Sequence, residues 1–153
     1  MDLKFEAVII PVSDVDRAKK FYKEALGWRE DIDYRAPAYE KAIGFRLRGA
    51  ESYRIVQLTP PGSECAILIG TGITQVTPGT YQGMHLTTSD IEAMRTELVN
   101  RGVEVSEPFH FGPQGQTPGL EPGRADYNSY MSFRDPDGNG WLIQEIKQRA
   151  PGR

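Results

Sequence analysis

Two segments of the chain show the same order of hydrophobic and polar positions. Residues 12–28 and 88–105 each follow an apolar run. Each segment contains a Ser-Asp pair and then a further acidic residue, with apolar residues at helical spacing after the pair. Asp14 and Asp90 are equivalent in this alignment and lie 76 positions apart in a chain of 153 residues. A repeat of this length is too long for a solenoid and indicates two copies of one supersecondary module.

Each copy begins with a predicted strand, at residues 3–12 and 83–88, and continues into a helix. Ser13 and Ser89 are predicted helix caps, because an acidic residue follows each of them three positions later. Gly27 and Gly102 follow the two apolar stripes and are predicted to end the helices. The pattern predicts helices near residues 14–26 and 90–101.

The remaining strands are predicted from apolar runs bounded by turn-forming residues. They cover residues 28–34, 53–59 and 64–70 in the first copy and residues 103–109, 127–134 and 140–147 in the second. The second copy closes with a hairpin turn, Asp-Pro-Asp-Gly-Asn, at residues 135–139. The predicted fold is therefore α+β, with the module βαβββ present twice.

The predicted domain boundaries follow the repeat. The first module covers residues 1–72 and contains an insertion at 35–52 with the aromatic residues Tyr39, Phe45 and, just beyond it, Tyr53. The second module covers residues 81–148, after a linker at 73–80 and before a tail at 149–153. Residues 110–126 are rich in glycine and proline and are predicted to form a long loop, either a lid over a ligand or an unstructured surface loop.

Composition narrows the classes of function. The net charge is −3, and no run of basic residues with interleaved aromatic residues is present, so nucleic acid is not an expected partner. The longest apolar run, residues 7–12, is far shorter than the roughly 20 residues of a membrane span, and acidic residues 2 and 6 argue against a signal peptide. Cys65 is alone and cannot form an internal disulfide, which predicts a soluble protein of the reducing cytoplasm.

Three segments together carry a resemblance to a known family. PVSDVDRAKKFYKEALGW, GMHLTTSDIEAMRTELVNRGVEV and FRDPDGNGWLIQEI occur in this order and resemble the vicinal-oxygen-chelate superfamily. That superfamily includes glyoxalase I, extradiol dioxygenases, fosfomycin-resistance enzymes and bleomycin-binding proteins. The resemblance implies paired βαβββ modules whose strands form a curled, cup-shaped mixed sheet around a small ligand, with the helices outside, and it implies a homodimer.

The resemblance also indicates where metal-binding members of the family carry their ligands. The first-strand ligand lies seven positions before the aspartate of each helix, at Ala7 and Gly83 here. The carboxylate position of the second copy is Leu142, and its counterpart in the first copy is expected near Gln57. Divalent metals prefer carboxylate, imidazole or several oxygen ligands, so no bound metal or other cofactor is expected.

Strand alternation predicts which polar residues remain in the ligand cavity. His85 and Gln144 lie two positions beyond Gly83 and Leu142 and should share their face. Gln57 and Thr87 are expected to join them, with His85 as the candidate catalytic acid-base residue; as an alternative, His85 is a core histidine satisfied by a neighbour. Further candidates for ligand contact lie in or beside the long loop: His110, Phe111, Tyr127 and Tyr130.

Charged residues near that loop allow two interpretations. Arg124 and Asp126 are expected either to hold a ligand or to pair with each other. Glu145 has the opposite parity from Gln144 and is expected to be a surface or interface charge.

Three functional hypotheses follow. The first is an enzyme of lyase or isomerase type that encloses a small organic metabolite and transfers a proton through His85 without a metal. The second is a protein that binds and sequesters a small molecule or drug without catalysis, like the bleomycin-binding proteins. The third is a metal-dependent enzyme with displaced ligands at Gln57, His85 and Gln144, which offers a single imidazole and no carboxylate.

Overall fold

A computed structural model describes residues 1–37 and 52–152 of the chain. Its elements are β1 (Ala7–Ile9), α1 (Val15–Lys20) with a π-helical continuation (Phe21–Ala25), β2 (Arg29–Pro37), β3 (Ser52–Thr59), β4 (Ala66–Thr71), β5 (Met84–Thr88), α2 (Ile91–Asn100), β6 (Phe109–Gly112), β7 (Gly115–Pro118), β8 (Ser129–Arg134) and β9 (Gly140–Glu145). They form two compact units. The first is Met1–Tyr81 with Asp135–Asn139, and the second is Gln82–Arg134 with Gly140–Arg153.

The two units have the same strand connectivity. In the first sheet the strand order is β1-β4-β3-β2, and in the second it is β5-β9-β8-β6, with β7 added at the edge. The first strand of each unit pairs in parallel with the last, whereas the other pairs are antiparallel. The predicted α+β fold of two tandem βαβββ modules is confirmed.

The helix caps are equivalent but lie one residue later than predicted. Asp14 and Asp90 are the N-caps, with φ and ψ of −133° and 109° and of −142° and 102°. The carboxylate of each accepts a hydrogen bond from the backbone N–H three residues on, at 2.9 Å. Ser13 is not the cap, because its hydroxyl donates to Asp137 instead. The matching geometry of Asp14 and Asp90 supports the internal duplication.

Glycine ends each helical segment, as the sequence predicts. Gly27 has φ 74° and Gly102 has φ 80°, in the left-handed region that favours glycine. The first helix differs from the prediction in its second half, Phe21–Ala25, where the backbone takes the wider π-helical turn. The buried residue Tyr22 belongs to this π-helical segment.

Several predicted element boundaries were wrong. β1 is only three residues long, and Leu3 and Phe5 before it are exposed. The strand predicted at 103–109 is reduced to a single bridge between Val105 and Phe133, and the strand proper begins at Phe109. The stretch predicted as a loop at 110–126 begins with the β6–β7 hairpin, whose strands pair from Phe109–Pro118 to Gly112–Gly115. The rest of it has no strand, and its role as a lid stays a prediction.

The module boundaries differ slightly from those predicted. The buried side chain of Ile73, assigned to the linker, packs with Ala36, Tyr53 and Leu68 in the first unit. β2 and β3 take up the ends of the insertion predicted at 35–52. Tyr39 and Phe45 lie outside the described residues, as does the last residue of the predicted tail. No described helix has the length and apolar character needed to cross a membrane.

A bulge in β2 separates charged residues onto two faces of the first sheet. The register shifts between Glu30 and Ile32, so that Glu30 and Asp33 both face α1 although they are three positions apart. Asp31, inside the bulge, turns to the other face and accepts hydrogen bonds from Thr59 and Gln57. Strict alternation along the strand does not predict this arrangement.

The face of the first sheet towards α1 carries a network of ion pairs around a buried arginine. Arg54 donates to both carboxylate oxygens of Asp33, at 2.9 and 2.8 Å, and to Asp16 at 2.7 Å. Lys19 adds a bond of 2.7 Å to Asp33. The Arg54 guanidinium, followed by the Lys19 ammonium, holds the pKa of Asp33 far below its ordinary value of 3.8.

We expect acid to destabilise the protein through Asp33. A carboxylate with a lowered pKa in the folded state stabilises it above the ordinary value of 3.8, and this contribution disappears as the pH falls further. An Asp33→Asn variant should therefore lose less unfolding free energy than the wild type between about pH 5 and pH 2, measured by urea denaturation. Parallel pH profiles for the two proteins would show that Asp33 does not carry this effect.

Candidate functional site

Among the described residues, the second sheet has one face covered by α2 and another on which His85, Thr87 and Phe111 are exposed. Trp141, Ile143 and Glu145 are buried, and the N–H of Ile91 at the start of α2 donates to the Glu145 carboxylate at 3.3 Å. Residues of the alternate parity therefore point away from α2. We call this side the open face; it consists of His85, Thr87, Phe109, Phe111, Tyr130, Ser132, Leu142 and Gln144.

The residues of the open face form two neighbouring rows across the strands. His85 lies beside Leu142, which lies beside Ser132. In the second row Thr87 lies beside Gln144, and Tyr130 lies between Gln144 and Phe109. Strand spacing places the Cα atoms of His85 and Gln144 about 8 Å apart, which suits a small molecule that contacts both rows.

A tight hydrogen-bonded triangle holds the second row in place. The hydroxyl of Tyr130 donates to the backbone carbonyl of Tyr127 at 2.6 Å. The amide nitrogen of Gln144 donates to the same carbonyl at 2.8 Å and to the Tyr130 hydroxyl at 2.9 Å. Because a carbonyl oxygen only accepts, the contact with Tyr127 fixes which end of the Gln144 amide is nitrogen.

The imidazole of His85 is exposed, and one of its two nitrogens is engaged. Nδ1 lies 2.8 Å from the carbonyl oxygen of Gly83. The carbonyl can only accept, so Nδ1 carries the proton, and in the neutral ring Nε2 has a free lone pair. This arrangement presents a hydrogen-bond acceptor or a proton acceptor on the open face.

Three aromatic rings cluster at one side of the open face. Phe109 stacks on Tyr130 with ring centroids 5.9 Å apart, and Phe111 meets both rings edge to face at 5.9 and 5.4 Å. Phe109 is buried, whereas Phe111 is 60% exposed. An exposed ring fixed by two aromatic neighbours offers a rigid surface on which another flat molecule can pack.

Among the described residues, Ser132 is shared by two cavities that adjoin the open face. One of about 220 Å³ is lined by residues that include Gly83, Leu142 and Trp141. The other, of about 340 Å³, is lined by residues that include Phe109 and Pro118 of the hairpin. The sequence did not single out Ser132 or Phe109, although alternation from Tyr130 along β8 would have indicated Ser132.

Two other predicted site residues lie elsewhere in the second unit. His110 is on the opposite face of β6 from Phe111, beside Ser129, and its Nδ1 lies 2.8 Å from the Gly119 carbonyl. Tyr127 contributes its carbonyl to the triangle, while its hydroxyl accepts a hydrogen bond from the N–H of Ala150 in the tail. Its φ of 71° is unusual for a residue other than glycine.

Gln57 lies in the first unit, on the face of the first sheet away from α1. Its amide nitrogen is 3.5 Å from Asp31, which also accepts hydrogen bonds from Thr59 and Arg29. These contacts, led by the Thr59 hydroxyl, lower the pKa of Asp31. Asp31 is a polar group that the sequence did not indicate, because only the bulge directs it to this face.

The positions expected for metal ligands do not fit a metal. Ala7, Gly83 and Leu142 have no donor side chains, and Gly83 has φ 73°, which an L-residue such as histidine rarely adopts. The first-copy counterpart of Leu142 is Leu68 and not Gln57, since Leu142 lies beside His85 and Leu68 beside its counterpart Ile9. Within residues 1–37 and 52–152, no three His, Cys, Asp or Glu side chains come together as a metal site.

Arg124 and Glu145 form an ion pair on the side of α2. Nε and Nη2 of Arg124 donate to the two carboxylate oxygens of Glu145, at 3.1 and 2.7 Å, and Nη1 donates to Glu92. Arg124 lowers the pKa of Glu145, which is buried within the chain and is not the surface or interface charge predicted. Asp126 accepts from the N–H of Lys147 and does not pair with Arg124 in these contacts.

Solved structures that are similar to the chain include two described as glyoxalase/bleomycin resistance proteins or superfamily members and one described as an antibiotic binding protein. A glyoxalase/bleomycin resistance protein from Streptomyces sp. CB03234 is 25% identical with a TM-score of 0.62, covering 93% of this chain and 100% of that one. TnmS3, an antibiotic binding protein from the same organism, is 26% identical with a TM-score of 0.64, covering 95% and 97%. A superfamily member from Sphaerobacter thermophilus DSM 20745 is also 26% identical with a TM-score of 0.64, covering 94% and 98%.

The family comparison covers most of the sequence. No curated protein matches it at a significant level. A family model described as Glyoxalase/Bleomycin resistance protein/Dioxygenase superfamily matches residues 4–143. With this match and the duplicated βαβββ fold, the chain belongs to the glyoxalase/bleomycin resistance protein/dioxygenase superfamily.

Proposed function

We propose that the protein binds a small, flat organic molecule on the open face of its second sheet. The observation that carries the proposal is the exposed ring of Phe111, which packs against Tyr130 on the open face. Tyr130 in turn lies beside Gln144 and forms a hydrogen bond with its amide nitrogen. Ligand sites combine apolar and aromatic surface with a few oriented polar groups, and the open face has this composition. Its two adjoining cavities give such a molecule room on either side of Ser132.

The comparisons support a binding function at the level of the superfamily. TnmS3, which is 26% identical over 95% of this chain, is described as an antibiotic binding protein. The same superfamily includes enzymes, so kinship alone does not select between binding and catalysis. We also propose that no metal is needed, since the ligand positions lack donor atoms.

Binding by the open face can be tested by calorimetric titration with a panel of flat aromatic compounds. We expect Phe111→Ala to weaken binding of any ligand found by about fivefold, because stacking on an aromatic ring contributes roughly 1 kcal/mol. His85→Gln should also weaken it, whereas the matched variant His110→Gln should not, since His110 is on the other face of β6. A chelator should leave the affinity unchanged.

Two results would contradict this proposal. One is a ligand whose affinity is the same in the Phe111→Ala variant as in the wild type, which would place its site elsewhere. The other is a loss of binding on chelation, which would restore a role for a metal. All variants must first show a wild-type unfolding midpoint, so that a change in affinity is not a change in folding.

A second candidate function is metal-independent proton transfer of lyase or isomerase type. The observation in its favour is the Nδ1 contact of His85 with Gly83, which leaves Nε2 as a proton acceptor on the open face. If the bound compound is converted, His85→Gln should abolish turnover and retain part of the binding. If no conversion occurs with any compound that binds, the protein is a binding module.

We propose further that the protein is cytoplasmic, in keeping with its single cysteine, and that it forms a homodimer, as the family resemblance implies. Sedimentation of a species of about 17 kDa, the mass of one chain, at micromolar concentration would contradict the dimer.

A further inference from the structure

The hydrogen-bonding capacity of the open face is unevenly divided between donors and acceptors. The Tyr130 hydroxyl uses its one hydrogen on the Tyr127 carbonyl. The Gln144 amide nitrogen is directed to that carbonyl and to the Tyr130 oxygen. These two acceptors lie only 2.6 Å apart, so one shared N–H can serve both, and at most one amide hydrogen is left over.

The atoms that remain are mainly acceptors. Gln144 Oε1 accepts no hydrogen bond from another described residue, the Tyr130 oxygen keeps a second lone pair, and His85 Nε2 is an acceptor in the neutral ring. The hydroxyls of Thr87 and Ser132 rotate and can serve in either role. Apart from these two hydroxyls, the open face offers three acceptor atoms against a single amide hydrogen.

We infer that the open face selects flat aromatic molecules that carry hydrogen-bond donors, such as phenols or arylamines, over molecules of the same shape that carry only acceptors. This inference rests on the proposed function and adds the chemical class of the ligand. A donor group placed on Gln144 Oε1 or His85 Nε2 regains the hydrogen bond that it loses to water. An ether oxygen in the same place leaves both its own lone pairs and those of the protein unpaired.

The charges around the open face favour a neutral donor over a cation. The guanidinium of Arg149 lies 3.5 Å from the Thr87 hydroxyl, at the end of the row that contains Gln144. A cationic ligand in this row would approach that positive charge, whereas a phenol would not. The two rows, about 8 Å apart at His85 and Gln144, suit a ligand with donors at opposite ends of a fused ring system.

The test compares two probes of nearly equal shape, naphthalene-2,6-diol and 2,6-dimethoxynaphthalene. We expect the diol to bind the wild-type protein about tenfold more tightly in calorimetric titrations, the change expected for one or two neutral hydrogen bonds. Equal affinities, or tighter binding of the dimethoxy compound, would overturn the inference and leave the proposed function standing. Binding of neither probe would overturn both.

Two variants separate donor selectivity from stacking. Tyr130→Phe removes one acceptor and keeps the aromatic ring, so the affinity ratio of diol to dimethoxy compound should fall severalfold. Phe111→Ala removes packing surface and no polar atom, so both probes should weaken together with the ratio preserved. A ratio that falls in Phe111→Ala and not in Tyr130→Phe would overturn the assignment of selectivity to the polar triangle.

Discussion

Replacing Asp135 with alanine is expected to lower the free energy of unfolding by about 3–5 kcal/mol, because several buried donors lose their shared acceptor. The carboxylate accepts from the Tyr22 hydroxyl at 2.8 Å and from the Asn139 side chain at 2.7 Å. It also accepts from the backbone N–H groups of Asp137 and Asn139. Tyr22 and Asn139 are fully buried, and Asp135 is 5% exposed, so water cannot replace the lost acceptor without local opening.

A graded series tests this account of Asp135. Tyr22→Phe removes a single donor and leaves the others in place, so it should cost about 1 kcal/mol. Asp135→Asn retains one acceptor oxygen and should fall between the two. Urea denaturation monitored by tryptophan fluorescence measures all three. If Asp135→Ala costs no more than Tyr22→Phe, the backbone donors of the turn do not depend on the carboxylate.

Replacing Glu145 with alanine is expected to cost about 2–4 kcal/mol of unfolding free energy. Its carboxylate, 1% exposed, pairs with Arg124 through two hydrogen bonds and accepts from the first N–H of α2. Removing one partner of a buried ion pair costs several kcal/mol, and the value here is reduced because Arg124 is one-third exposed and can regain water.

Glu92→Ala is the matched control for Glu145. Glu92 also pairs with Arg124, at 2.9 Å, but its side chain is mostly exposed. An exposed pair contributes little, so this variant should change the unfolding free energy by less than about 1 kcal/mol. Equal losses in the two variants would show that burial of Glu145 does not determine its contribution.

The duplication and the helices could be predicted because their signals are local. A cap, an apolar stripe of period 3.6 and a terminal glycine act within one segment, and they recur at Asp14 and Asp90. The exact cap could not be predicted, because the hydroxyl of Ser13 is used by Asp137, more than a hundred residues away. A long-range contact of this kind leaves no periodic pattern in the sequence.

Strand geometry was less accessible from the sequence. The bulge between Glu30 and Ile32 reverses the alternation within β2, and no turn residue marks it. The β6–β7 hairpin was missed because glycine and proline near residues 112–118 favour an irregular loop by composition. Pairing partners stabilise both features, and the sequence of one strand does not specify its partner.

For the candidate site, the alternation of side chains along a strand correctly predicted which residues share a face. It did not predict contacts with residues of other elements. It placed His85 and Gln144 on one face with Leu142, as the register of β5 and β9 has them, and their functional roles remain predictions. It did not distinguish Glu145 as buried, since an acidic residue usually stays in water unless it finds a partner such as Arg124. The family resemblance, and not alternation, assigned Gln57 to a ligand position that belongs to Leu68.

The turn at Asp135–Asn139 belongs to the first compact unit although it closes a hairpin of the second. The Asn139 side chain donates to the carbonyl of Pro11, and Asp137 binds the backbone N–H of Ser13. A gene fragment ending at Tyr81 would therefore encode a first half that lacks five of its own residues. The two halves of the chain are therefore not interchangeable, and an exchange of one half during evolution would have to preserve this turn.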